Sequence, residues 1–129
     1  MLKSIIITGL SLLILDALWL GVIAKPLYLN QLGAVARFEN GSLQALWLPA
    51  LLVYIALIAG IVVFVLPKAQ GDLLWGLIYG GLFGLITYAI YDFTNLAVLK
   101  DWSLMISIID VIWGTILCSI SSAFATWFS

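Results

Sequence analysis

Four long apolar runs, separated by shorter polar breaks, make up most of this sequence. They cover residues 4–24, 45–66, 73–99 and 104–128. Each run is close to the ~20 residues that an α-helix needs to cross ~30 Å of hydrocarbon at a rise of ~1.5 Å per residue. The repeated alternation, about ten residues long, that marks the strands of a membrane β-barrel is not visible. The pattern therefore predicts an all-α integral membrane four-helix bundle that forms a single domain over residues 1–129.

The breaks between the runs differ in length. The first, at residues 26–43, is long, whereas those at residues 67–72 and 100–103 are tight. A short amphipathic helix that lies on the membrane or caps the bundle is predicted in the long break from its apolar residues, Leu29, Leu32, Val35 and Phe38. After this helix, Asn40-Gly41-Ser42 is typical of a turn.

The composition indicates that lipid is the main solvent of this chain. Apolar residues make up 65% of it and charged residues 9%, against about 45–50% and about 25% in soluble domains. The net charge is −1 and there is no basic run, which argues against binding nucleic acid. The chain has no histidine, and Cys118 is its one cysteine. We therefore predict no disulfide, no metal site and no cofactor.

The ends of the runs carry some information on topology. Tryptophans fall at predicted helix ends, where indole rings favour the membrane interface: Trp47, Trp75, Trp102 and Trp127. The first run is longer than the apolar stretch of a signal peptide and contains Asp16, so we expect it to remain in the protein. Basic residues are divided almost equally between the two sides, and the sequence therefore predicts no orientation.

Three of the six acidic residues lie inside the runs: Asp16, Asp92 and Asp110. An aspartate at the centre of a membrane helix costs roughly 2.5–3.5 kcal/mol, so these side chains should face the bundle interior or a water-filled cavity. Counting residues to the nearest run ends places all three ~12–14 Å from the membrane face that carries the long break. Three carboxylates at one depth on three helices predict a cluster.

A cluster of carboxylates in a low-dielectric interior cannot be fully ionised without compensation. No lysine or arginine lies inside the four runs to supply a positive charge. We therefore expect at least one proton to be shared among the three aspartates, which then titrate as a coupled set, or a bound cation to neutralise them.

One face of the third run combines polar and small residues. Tyr88, Asp92 and Asn95 follow helical spacing and predict the wall of a polar pocket. The same face continues through small residues that allow close helix packing, and that also offer a surface for a homo-oligomer, at Gly76, Gly80 and Gly84.

The pattern Asp-x-x-Trp occurs twice, in the first and fourth runs. It places an indole one turn from each carboxylate, and the two motifs could meet as a pseudo-symmetric pair because the helices are antiparallel. The candidate ligand-binding or proton-binding residues are therefore Asp16, Asp92, Asp110, Asn95, Tyr88, Thr94, Trp19 and Trp113.

The stretch YDFTNLA at residues 91–97, followed by LKDW at residues 99–102, resembles a family of small bacterial inner-membrane proteins known as domain of unknown function 2177. The similarity extends to Leu15-Asp16, Trp19-Leu20-Gly21, Pro26, Tyr28, Leu48-Pro49-Ala50, Asp110 and Trp113-Gly114. Ser103 departs from the pattern, since a proline is expected after the tryptophan. The resemblance implies four spans in a bacterial inner membrane and implies no activity.

Three functions remain open at this point. The first is binding or transport of protons, a cation or a small cationic or hydrophobic ligand at the acidic site. The second is a structural or accessory membrane subunit whose aspartates hold helices together. The third is an intramembrane enzyme that acts on a lipid-like substrate, against which stands the lack of a histidine and of a serine or cysteine nucleophile with a base.

Overall fold

Four long helices form the protein in a computed structural model that describes residues 1–32, 35, 37–39, 42–43 and 46–128. They are the first span (Leu2–Ile23), the second span (Trp47–Ala69), the third span (Leu73–Val98) and the fourth span (Leu104–Phe128). All four are long and apolar enough to cross a membrane. The predicted all-α membrane bundle is therefore confirmed.

Apolar side chains cover the outside of this bundle. In the first span, for example, Leu10, Leu13 and Ile14 are each half exposed or more. The fully buried positions, by contrast, include several polar side chains: Thr8, Asp92, Ser107, Ser121 and Ser122. An apolar exterior around a partly polar interior is the arrangement that a hydrocarbon solvent requires.

The predicted helix in the first loop is present, but it lies earlier in the chain. It covers Lys25–Leu32, and we call it the loop helix. Val35 falls in a turn and Phe38 in a two-residue strand, Phe38–Glu39, that pairs antiparallel with Ser42–Leu43. The helix begins earlier because Pro26 suits a first helical turn, and it ends where the sequence continues with a glycine, a poor helix former. The predicted turn at residues 40–41 lies outside the described residues.

Two spans contain a π-helical turn. In the first span this turn covers Trp19–Ile23, directly after the helical turn that carries Asp16. In the second span it covers Ile61–Val65, after which an α-helix restarts with Pro67 in its first turn. Proline is tolerated there, so the span does not end at Leu66 as predicted but continues to Ala69. Such turns are frequent at functional sites.

The third and fourth spans pack against each other through the predicted glycine seam. A methyl group at Gly80 would lie 2.6 Å from the carbonyl oxygen of Cys118, and one at Gly84 would collide with the backbone of Gly114. The Ser119 hydroxyl also donates to the carbonyl oxygen of a residue on the third span, at 2.8 Å. This face is therefore occupied within the chain and is not open to a second copy through the three glycines, while the oligomeric state itself remains a prediction.

Ser103 directly precedes the fourth span and stands where a proline was expected. Its hydroxyl oxygen accepts from the backbone N–H of Ile106 at 3.2 Å, which caps the helix. The same hydroxyl donates to the side-chain carbonyl of Gln31 at 2.6 Å and so connects the fourth span to the loop helix. The departure from the family pattern therefore adds a contact between the first and third loops.

Candidate functional site

A cavity of about 760 Å³ lies between the four spans and the first loop. Its lining includes side chains from every span, from the loop helix and from the residues that follow that helix. Val35 and Arg37 line it and are exposed, so the cavity reaches the protein surface at the first loop. Most of the other lining side chains are aliphatic or aromatic.

The structure brings the three intramembrane aspartates to this one cavity. Asp16, Asp92 and Asp110 all line it, from the first, third and fourth spans. Asp92 is fully buried, Asp16 is 9% exposed, and Asp110 is partly buried. Their surroundings differ, and those differences determine what each of them can do.

Asp16 is held by donors from two other spans. The indole N–H of Trp113 donates to its Oδ1 at 2.9 Å, and the hydroxyl of Tyr54 donates to its Oδ2. Both carboxylate oxygens therefore have a partner. Asp16 thus joins the first, second and fourth spans, which is what a residue that holds helices together does.

Asp110 is connected to the loop helix. The Tyr28 hydroxyl donates to its Oδ1 at 2.8 Å, and the indole N–H of Trp19 donates to the Tyr28 oxygen at 3.2 Å. Burial, and next the negative charge of Asp110, raise the pKa of Tyr28 well above its usual 10.0. The Tyr28 hydroxyl is therefore protonated, and remains a donor, throughout the physiological pH range.

The two Asp-x-x-Trp motifs meet, and the tryptophan of each motif is hydrogen-bonded, directly or through Tyr28, to the aspartate of the other motif. Trp113 lies one turn from Asp110 but donates to Asp16, while Trp19 lies one turn from Asp16 and reaches Asp110 through Tyr28. The predicted meeting of the motifs is therefore what the structure shows. Each indole N–H, however, is directed to a residue on another helix and not to the aspartate of its own helix.

Asp92 is the carboxylate without a donor. Both of its oxygens are buried, and no residue in the described part of the chain donates a hydrogen bond to them. Its polar neighbour is the carboxyl group of Asp110, within hydrogen-bonding reach. Two carboxyl groups can share a hydrogen bond only when a proton lies between them. A buried carboxylate without that proton or a counter-ion would cost several kcal/mol.

The remaining predicted site residues divide into two groups. Tyr88 lines the cavity from the third span. Thr94 is exposed and Asn95 is half-buried, and neither lines the cavity. Thr94 lies two positions from Asp92, which turns it toward the opposite side of the helix.

Sequence reasoning missed three residues of the site: Tyr28, Tyr54 and Arg37. Tyr54 carries the one side-chain hydroxyl between Trp47 and Lys68, and a lone hydroxyl in an apolar span was a usable signal. Tyr28 and Arg37 lie in the long break, where periodicity gives no indication of a contact with the spans. Arg37 places a positive charge at the mouth of a cavity that contains three carboxyl groups.

The positions of the carboxyl groups determine which kind of cation the site is suited to bind. Among the residues whose positions are described, no group of three His, Cys, Asp or Glu side chains is placed to hold a metal ion. Carboxyl groups bordered by aromatic rings are suited to an organic cation, which needs charge neutralisation and a π surface in place of a coordination shell.

Comparison with known proteins places the chain in a family. The family model described as "Predicted membrane protein (DUF2177)" matches residues 1–127. A search of curated proteins and a search of solved structures found no match. Because the family model covers nearly the whole chain, and because four helices of membrane-spanning length and composition are present, this protein is a multi-pass membrane protein that belongs to the DUF2177 family.

Proposed function

We propose that this protein binds a monovalent organic cation with an apolar body in its intramembrane cavity. Asp92 is the main counter-ion, and Asp110 lies beside it. The observation that carries the proposal is that Asp92 is fully buried, lines the cavity, and accepts no hydrogen bond from any residue that the structure describes. A helix-joining aspartate would have donors, as Asp16 does.

The size and lining of the cavity support a small organic ligand. Its volume of about 760 Å³ falls in the range of roughly 300–1,000 Å³ that is usual for small-molecule sites. Aromatic side chains line it from the second and third spans: Tyr54, Phe83, Tyr88 and Tyr91. Ring faces attract cations at a desolvated site by about 2 kcal/mol, and the same rings accommodate an apolar body.

The other functions have less support. Asp16, with both oxygens bonded, fits the structural alternative at that one position, and we assign it the role of holding the cavity wall in place. No observation on the described residues favours the enzyme. Transport of the bound cation stays a prediction. We further propose that the protein resides in the inner membrane of a bacterium, as the resemblance of its sequence implies.

A binding titration tests this function. The purified chain in an uncharged detergent is titrated with tetraphenylphosphonium, a monovalent apolar cation, by isothermal titration calorimetry. We expect saturable binding to the wild type, and a loss of affinity of at least about 10-fold in Asp92→Asn, which corresponds to about 1.4 kcal/mol. The matched control is Asp101→Asn, since Asp101 is exposed in the last loop.

Circular dichroism and thermal unfolding of each variant establish that it is folded. Absence of saturable binding to the folded wild type would contradict the proposal. Equal affinity of the wild type and the folded Asp92→Asn variant would contradict the assignment of Asp92 as counter-ion.

A further inference from the structure

Within this site, a proton has to be assigned to the carboxyl groups of Asp92 and Asp110. Asp92 is fully buried, and no described donor reaches either of its oxygens. The carboxyl of Asp110, on the facing span, lies within hydrogen-bonding reach of it. The Tyr28 hydroxyl occupies Oδ1 of Asp110 as a donor, so Asp110 acts as an acceptor there and does not bring its own proton to Tyr28.

The other ionisable groups around the pair do not take over its proton. The groups that line the cavity from the surrounding elements are Asp16 on the first span, Tyr28 on the loop helix, Arg37 in the first loop, Tyr54 on the second span, and Tyr88 and Tyr91 on the third. Both oxygens of Asp16 are already occupied by donors. Arg37 has no proton to release at physiological pH, and phenols are neutral there.

The charge of the carboxyl pair restricts how a cation can bind to it. With one proton, the pair carries a single negative charge. If the proton stayed between the two carboxyl groups, an entering monovalent cation could approach only the part of the negative charge that the proton leaves free. If the cation takes the place of the proton, two carboxylates surround one positive charge and the net charge of the site stays at −1. A positive charge beside a carboxyl group favours its ionised form, so the entering cation and the shared proton compete for the same carboxyl oxygens and the cation promotes loss of the proton.

We infer that each organic cation bound at the Asp92–Asp110 pair displaces the proton that these two carboxyl groups share, so that binding exchanges one monovalent cation for one proton. This inference rests on the proposed function and specifies how the site is regulated. The O–H bond of the shared carboxyl breaks, its electron pair remains on the carboxylate, and the proton passes to water. No other bond is made or broken.

The exchange has a quantitative consequence for affinity. When one proton leaves for each cation that enters, the association constant rises about 10-fold for each unit of pH over the range in which the pair is singly protonated. The proton also weakens cation binding by the same factor by which the cation weakens proton binding, because linkage is reciprocal.

Calorimetry in two buffers measures the exchange directly. The full-length protein is titrated with tetraphenylphosphonium at one pH in phosphate and in Tris, whose ionisation enthalpies differ. Because this cation carries no acidic proton, any proton released comes from the protein. We expect about one proton per bound cation for the wild type and for the control Asp101→Asn, together with the tenfold rise in association constant per pH unit.

The outcomes separate the two proposals. Saturable binding with no proton release and no pH dependence would overturn the exchange and leave the proposed function standing. Absence of binding would overturn both. Residual binding to folded Asp92→Asn that still releases a full proton would also overturn the exchange, because the proton would then come from elsewhere. Release of about one proton by the wild type, lost in Asp92→Asn at saturating cation, supports it.

Discussion

Trp19 and Trp113 stack with their ring centroids 4.7 Å apart and their planes inclined by 9°. This contact fastens the first span to the fourth, directly beside the aspartates of both spans. It also sets the direction of the two indole N–H groups, one toward Asp16 and the other toward Tyr28. The stacked indoles therefore form a framework that holds the donors to Asp16 and Tyr28 in position beside the cavity.

Removing one indole N–H should weaken this framework and leave the stacking in place. In Trp113→Phe a ring remains to pack on Trp19, but Asp16 loses its donor to Oδ1. We expect the free energy of unfolding to fall by about 1–3 kcal/mol, because a buried acceptor is left with one unsatisfied oxygen. Trp127→Phe is the control, since Trp127 is 67% exposed near the end of the fourth span. Equal stability of the two variants would contradict the assigned role of the Trp113 N–H.

The Tyr28–Asp110 hydrogen bond should have a specific dependence on pH. Burial, first, and the charge of Asp110, second, raise the pKa of Tyr28 above 10.0 in the folded protein. A group whose folded pKa is raised contributes stability that is fully present below the unfolded pKa and is lost as the pH rises through the folded one. The difference in melting temperature between the wild type and Tyr28→Phe should therefore be constant from pH 6 to about pH 9.

Above about pH 10 the same difference should become smaller, as the unfolded tyrosine ionises. Thermal unfolding followed by circular dichroism over this range measures it. A difference that already changes between pH 6 and pH 9 would contradict the raised pKa of Tyr28 in the folded protein.

The glycine seam between the third and fourth spans gives a pair of neighbouring variants with opposite expectations. A methyl group at Gly80 would lie 2.6 Å from the Cys118 carbonyl oxygen, whereas one at Gly81 would lie 3.5 Å from the nearest atom, on Ser119. Gly80→Ala should therefore lower the free energy of unfolding by about 1–3 kcal/mol. Gly81→Ala should leave it unchanged or raise it slightly. If unfolding in detergent shows Gly81→Ala to be the less stable variant, the packing described for the seam is wrong.

The sequence predicted the helices and the common location of the three aspartates for one physical reason. Hydrocarbon penalises both an unpaired backbone and an exposed carboxylate, so apolar length fixes the spans and Asp16, Asp92 and Asp110 must turn inward. Thr94 was among the predicted site residues, but it lies two positions from Asp92, and a helix turns such a residue toward another side.

The different roles of the aspartates could not be obtained in the same way. Asp16 has donors because Tyr54 on the second span comes to face it, whereas no donor among the described residues reaches either oxygen of Asp92. Both facts depend on how the helices are rotated against each other. Helical periodicity assigns a residue to a face but does not say which donor stands opposite.

Infrared difference spectroscopy tests the central claim, that a bound cation displaces the proton shared by Asp92 and Asp110, most directly. The spectrum of the purified protein is recorded before and after addition of saturating tetraphenylphosphonium, in the carbonyl region of protonated carboxyl groups. We predict that a protonated-carboxyl band disappears and carboxylate absorption grows in the wild type and in Asp101→Asn, and that neither change occurs in Asp92→Asn. Saturable binding that leaves the protonated-carboxyl band of the wild type intact, or the same loss of that band in Asp92→Asn, would contradict the claim.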